Sequence, residues 1–208
     1  MNSNGLIRVS RWLQALLRHE RGLYSHSLRV AELTASFCNY LGFSSDDRDA
    51  VTIAALIHDV GKLEISRELL LKTGPLTEDE KAVIRLHPEI GCTLLKADGR
   101  YDGVVFDVVQ NHHERLDGTG YPFGITAGLI SQPVRIVTIA DVFVAMTEER
   151  PFAEPLDWAT AVALMESKRT RIDQDLLRRF VAMVAMKESG ETPFHPAVAD
   201  VGHLVRHI

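Results

Sequence analysis

Ser45-Asp46-Asp47-Arg48-Asp49-Ala50-Val51-Thr52-Ile53-Ala54-Ala55-Leu56-Ile57-His58-Asp59-Val60-Gly61-Lys62 is the stretch on which the fold reading turns. A serine stands at its front as a helix start, and Gly61 lies just past its end as a stop. The spacing predicts a helix running to about His58. Its apolar run, Val51 to Ile57, is broken only by Thr52. That run is far short of the ~20 residues a membrane-spanning helix needs, so it reads as a core segment.

The helical period continues on both sides. Leu6, Val9, Leu13 and Leu16 fall on one stripe, with Arg8, Arg11 and Arg18 off it. This N-terminal helix, residues 1–20, is expected to pack on the body of the domain, with a homodimer contact as the alternative. Val30, Leu33, Phe37 and Leu41 repeat the stripe in a helix over 24–41, and Gly42 stops it. Thr77-Glu78-Asp79-Glu80 is a capping box, and Pro88 can open the next helix. Segments 102–113, 133–148, 157–167 and 173–187 are also predicted helical. Residues 114–132 hold Gly118, Gly120, Pro122, Gly124 and Gly128 and read as a long loop. Residues 189–208 read as a linker and a short last helix. No alternating strand pattern of useful length occurs, so the fold class is all-α, an orthogonal helical bundle with the main domain at 21–188.

Composition narrows the function. The chain has 208 residues, 46% apolar and 25% charged, enough for a full core. A net charge of −5 argues against a DNA or RNA polymer as partner, because phosphate backbones call for a broad basic surface. Arg8 and Arg11 interrupt the N-terminal apolar stretch, so a secretory signal is not expected. Cys38 and Cys92 have no CxxC partner and are expected to be reduced, buried thiols in a cytoplasmic protein without a membrane association.

Nine histidines stand out for this length. His58-Asp59 and His112-His113 are adjacent pairs, His26 lies early in its helix, and His87 ends another. Asp141 is set among Ile136, Val137, Ile139, Ala140, Val142 and Phe143, where an unpartnered carboxylate costs several kcal/mol. A metal is one partner that would settle it, and an arginine or a helix cap is another. Taken singly, each of these residues reads as an ordinary satisfied side chain.

In order they read His26, His58-Asp59-Val60-Gly61-Lys62, His87-Pro88-Glu89-Ile90-Gly91, His112-His113-Glu114-Arg115-Leu116-Asp117-Gly118-Thr119-Gly120-Tyr121-Pro122 and Ala140-Asp141. This series strongly resembles the HD-GYP family of bacterial cyclic-dinucleotide phosphodiesterases, a branch of the HD superfamily of metal-dependent phosphohydrolases, over about residues 20–187. The resemblance implies a helical bundle with a central metal site. Its ligand set carries over as His26, His58, Asp59, His87, His112, His113 and Asp141. Five imidazoles and two carboxylates suit iron or manganese, and seven ligands argue for two divalent ions with Asp59 as the bridge. Hydrolysis of cyclic di-GMP to linear pGpG or GMP is the implied activity, with Asp59 and Lys62 as catalytic residues.

Tyr121, Gly118, Gly120 and Arg150 are the implied substrate residues. Tyr121 is expected as an exposed aromatic that stacks on a base or bonds a phosphate, and Arg150-Pro151-Phe152 as a phosphate grip. Glu114 and Asp117 are expected to fix the loop. The family's usual pattern has a basic residue where Ala153 stands and an aspartate where Val144 stands, which weakens the expected grip on the dinucleotide. The alternatives are another cyclic dinucleotide as substrate, or a receptor or protein-interaction module with little turnover. Few residues precede His26, so either a separate sensor or regulatory protein is expected to supply the input or the activity is expected to be constitutive. Some relatives hold a third ion with a glutamate four residues before the histidine that matches His26. Gly22 stands there, and Gly22 is expected to break the helix.

Overall fold

The computed structural model describes residues 3–99, 101–149 and 154–188. Arg150, Ala153 and the expected linker and last helix over 189–208 lie outside the described residues. Among those described there are ten α-helices and no strand. They are α1 Ser3–His19, α2 Arg21–Tyr40, α3 Ser45–Ile57, α4 Arg67–Leu70, α5 Glu78–Ile84, α6 His87–Asp98, α7 Gly103–Asn111, α8 Gln132–Thr147, α9 Trp158–Ser167 and α10 Gln174–Glu188. Short 3-10 turns cover Val60–Glu64 and Ala127–Leu129.

Local chemistry sets the helix starts. Ser44 caps α3 by accepting from Asp47 N, one residue before the expected cap. Thr77 and Glu80 form both halves of a capping box on α5. Asp102, Ser131 and Asp157 cap α7, α8 and α9. Glu20 caps α2 from outside the helix, its carboxylate accepting from Gly22 N and Leu23 N. The helix therefore begins at Arg21 rather than 24, Gly22 lies inside it, and the break falls at Glu20.

The centre of the bundle is α2, packed against α3 and α8, with α7 across α3. This explains the unbroken apolar run. Residues Val51 to Ile57 are all buried because the C-terminal half of α3 is enclosed on every side, while Asp46, Asp47 and Asp49 near its start are exposed. Helix α8 is similar: Ile136, Val137, Ile139 and Ala140 are fully buried around Asp141. Phe37, Phe143 and Phe180 meet edge-to-face and tie α2, α8 and α10 together. The stripe of α1 goes into this core, with Val9, Leu13 and Leu16 at most 1% exposed. Cys38 and Cys92 are free and buried.

One close crossing positions the site. A Cβ on Gly61 would lie 1.9 Å from His87 O, and one on Gly91 would lie 2.9 Å from the Val109 side chain. The turn after Asp59 thus seats directly on the first turn of α6, which only glycine permits. The segments holding His58-Asp59 and His87 are brought together by it.

Candidate metal centre

Three of the histidines sit at helix ends. His58 follows α3, His87 follows the end of α5 and opens α6, and His112 follows α7. The last carbonyls of a helix have no intrahelical N–H partner. Here the imidazoles donate to carbonyls of those last turns. His58 Nδ1 lies 2.8 Å from Ala55 O, and His87 Nδ1 lies 2.7 Å from Ile84 O. His112 Nδ1 lies 3.1 Å from both Val108 O and Val109 O. A carbonyl only accepts, so each Nδ1 carries the proton and donates. Each Nε2 of the neutral ring is left with its lone pair pointing inward.

Those lone pairs converge on Asp59. His87 Nε2 is 3.2 Å from His112 Nε2, and Asp59 Oδ1 is 3.3 Å from the first and 3.8 Å from the second. Asp59 Oδ2 is 3.4 Å from His58 Nε2 and 2.6 Å from Lys62 Nζ. Burial holds His87 neutral against the pull of the Asp59 carboxylate, with its pKa lowered to about 3. Burial lowers His112 and His113 too. Burial opposes ionisation of Asp59 and Asp141, but Lys62 at the first and His26 at the second prevail and keep their pKa well below the usual range. Acceptors thus face acceptors in a dry interior. His58 Nε2 and Asp59 Oδ1 have no hydrogen-bond partner at all. Such orphaned, mutually repelling lone pairs fit a divalent cation and little else.

The donors divide into two groups, each within 4.8 Å: Asp59, His87, His112 and His113, and then His26, His58 and Asp141. All seven residues expected as ligands from the sequence are in them. Asp59 spans the two, one oxygen toward each. His26 lies inside α2, with Nε2 3.0 Å from Asp141 Oδ1 and Nδ1 2.8 Å from Glu148 Oε1. Burial disfavours charge on this ring, yet the hydrogen bonds to Asp141 and Glu148 prevail and raise its pKa to about 9. A proton here and a metal ion are alternative sources of the same positive charge. Glu148 was not among the residues expected at the site. The signal was its spacing, seven residues or two helical turns after Asp141, which puts both carboxylates on one side.

The loop after His113 is ordered. Glu114, 2% exposed, accepts from Phe123 N at 2.7 Å and Gly124 N at 3.1 Å. Asp117 accepts from Thr119 and Thr170. Both therefore fix the loop, as expected. Gly120 packs so tightly that a Cβ would lie 2.4 Å from Arg115 N, and Gly118 has φ +76°. Their geometry builds the loop. Tyr121 is half-buried rather than exposed. Its ring stacks on His113 at 4.6 Å between centroids, with the Arg85 guanidinium 5.7 Å from its centre, and burial raises its pKa. Val144 is in the core at 3% exposure. A cavity of about 400 Å³ adjoins the site, lined among others by Glu20, His26, Arg29, Asp59, Lys62 and Glu148.

Comparison with known proteins agrees with this geometry. The family model described as HD domain matches residues 12–176. The chain belongs to the HD domain family. Within that family its His112–Pro122 element is that of the HD-GYP branch. It is 34% identical over 167 residues to a cyclic di-GMP phosphodiesterase of Pseudomonas aeruginosa, covering 80% of this chain and 40% of that protein. It is 36% identical over 165 residues to the cyclic di-GMP phosphodiesterase response regulator RpfG of Xanthomonas campestris, covering 79% and 44%. A 3'3'-cGAMP-specific phosphodiesterase of Vibrio cholerae is 40% identical over 136 residues, covering 62% and 30%. The chain thus spans less than half the length of these relatives. Among solved structures, a cyclic GMP-AMP specific phosphodiesterase of V. cholerae superposes with a TM-score of 0.58 at 27% identity, covering 89% of this chain and 42% of that one. An HD-GYP-type protein of Bdellovibrio bacteriovorus shares the fold at a TM-score of 0.66 and 19% identity, covering 78% and 52%. Among the described residues no helix is long and apolar enough to cross a membrane.

Proposed function

We propose that this chain is a metal-dependent phosphodiesterase that hydrolyses cyclic di-GMP to linear pGpG or GMP in the cytoplasm. The observation that carries the proposal is Asp59, whose two oxygens face two separate imidazole groups. That is the disposition a bridging carboxylate needs, so two divalent ions, iron or manganese, suit the donors. When bound, they supply an activated water and positive charge at the phosphate, functions that ion pairs about 3.5–4 Å apart serve in hydrolysis. Water adds to phosphorus, the P–O bond to the ribose breaks, and a proton goes to the leaving oxygen.

The chain's own residues set up this chemistry. Helix-end carbonyls fix the imidazole orientations. The low pKa of Asp59 and Asp141 keeps both as carboxylates. Lys62, held on Asp59 at 2.6 Å and lining the cavity, can offset charge on the leaving oxygen. Tyr121 presents one ring face backed by His113, a platform for a base, and Gly118 and Gly120 shape its loop. Arg150 completes the phosphate grip in this reading.

A second reading, hydrolysis of 3'3'-cGAMP, is favoured by the relatives named for it at 39–40% identity. The complete ligand set favours turnover over a pure receptor. Iron- and manganese-loaded protein incubated with a panel of cyclic dinucleotides, with products resolved by chromatography, tests both. Linear pGpG or GMP from cyclic di-GMP is expected. No product from any dinucleotide would refute the enzyme reading, and cleavage of cGAMP alone would replace its substrate.

A further inference from the structure

His26 differs from three of the other four histidines of the centre. His58, His87 and His112 each give Nδ1–H to a carbonyl in the last turn of a helix. His26 is the sixth residue of α2, where nearby carbonyls already belong to the helix ladder. Its Nδ1 instead meets Glu148 Oε1 at 2.8 Å, across 122 positions of sequence. Both residues are buried, at 5% and 8% exposure. Glu148 is itself held: its N–H donates to Val144 O, ending α8, and Arg29 stands 3.9 Å from its second oxygen.

We propose that Glu148 is the positioning residue of His26, fixing Nδ1 as the protonated nitrogen so that Nε2 faces Asp141 and His58 as a metal ligand. The inference rests on the metal reading above. Helix end and carboxylate solve the same problem in two ways. A main-chain dipole orients three rings, and a full charge orients the fourth while making its Nε2 a stronger donor. The two carboxylates that flank His26 come from one helix and its cap, so α8 delivers a ligand, Asp141, together with the group that aims the partner ligand. Glu148 need not touch an ion or substrate to do this.

The test is Mn(II) binding to metal-free protein, followed by electron paramagnetic resonance, for wild type, Glu148→Ala and Glu148→Gln. A thermal melt of each metal-free protein checks that it is folded. Wild type is expected to take two ions. Glu148→Ala should weaken one of them about 10–100-fold and leave the other unchanged. Glu148→Gln keeps an acceptor for Nδ1–H and loses the charge, so it should recover part of the loss. A purely structural role would not show that graded, one-site recovery. In zinc-loaded protein the His26 Nδ1–H proton should give a slowly exchanging NMR signal in wild type and lose it in Glu148→Ala. Folded Glu148→Ala with both affinities unchanged would overturn the role of Glu148 alone. Wild type taking up no ion would overturn the metal reading, and this role with it.

Discussion

The two halves of the metal centre are built by different means. In one, His87 and His112 leave helix ends and their orientation comes from the main chain beside them. In the other, His26 and Asp141 sit inside long helices and reach each other across 115 positions. The first kind of ligand is nearly self-sufficient: an adjacent pair at a helix terminus brings its own acceptor. The second kind exists only once α2 and α8 have packed. His58-Asp59 belongs to both, because α3 ends between them. The difference teaches that a buried polar centre can be nucleated locally and completed by tertiary packing.

The largest expected effect comes from removing the residue the halves share. Asp59→Ala should lose both ions and lower turnover at least about a thousandfold, as removal of a central charge does. Metal analysis beside a chromatographic assay checks this, and near-normal turnover in metal-depleted Asp59→Ala protein would break the account. Next comes a matched pair. His87→Ala should weaken one ion more than about 100-fold, beyond what an orienting partner costs. His26→Ala should weaken the other by a similar factor, so each variant keeps one ion by elemental analysis. Loss of both ions in either variant would show that the halves are not separable.

Gly61→Ala attacks the crossing that joins the segments. With His87 O only 1.9 Å from the new Cβ, main chain must move, and a loss of about 3 kcal/mol or more is expected in denaturant unfolding. A loss well under 1 kcal/mol would mean the crossing gives way freely. The smallest effect should come from Thr138→Val. Thr138 Oγ1 donates to His112 O at 2.8 Å. Losing it should cost about 1 kcal/mol and change ion affinity little, because Nδ1 of His112 keeps its own two acceptors.

The same division explains what was legible in the sequence. Helix periodicity, the Thr77 capping box and the apolar run of α3 are local, and they gave the all-α class and most element positions. His58-Asp59 and His112-His113 were visible because helix-end ligands come as neighbours. Glu148 was not, because its role depends on the packing of α8 against α2, and in the sequence it is one of two glutamates beside Arg150. Tyr121 was expected exposed from its place in a glycine-rich loop. The loop instead folds inward, pinned by Glu114, and the ring is half covered by His113. The start of α2 was misplaced because Gly22 was weighed as a breaker, whereas the Glu20 cap supplies the N–H partners that let a helix hold glycine at its second position.

Glu20 also bears on the count of ions. Both its carboxylate oxygens accept from Gly22 N and Leu23 N, so it is engaged as a cap and stands apart from the seven donors. The most direct measurement is anomalous diffraction from crystals of anaerobically purified protein, with ions counted and placed. The account predicts two ions per chain. One lies among Asp59, His87, His112 and His113, the other among His26, His58 and Asp141, with Asp59 touching both. A single ion, or a third fully occupied ion held by Glu20, would contradict it.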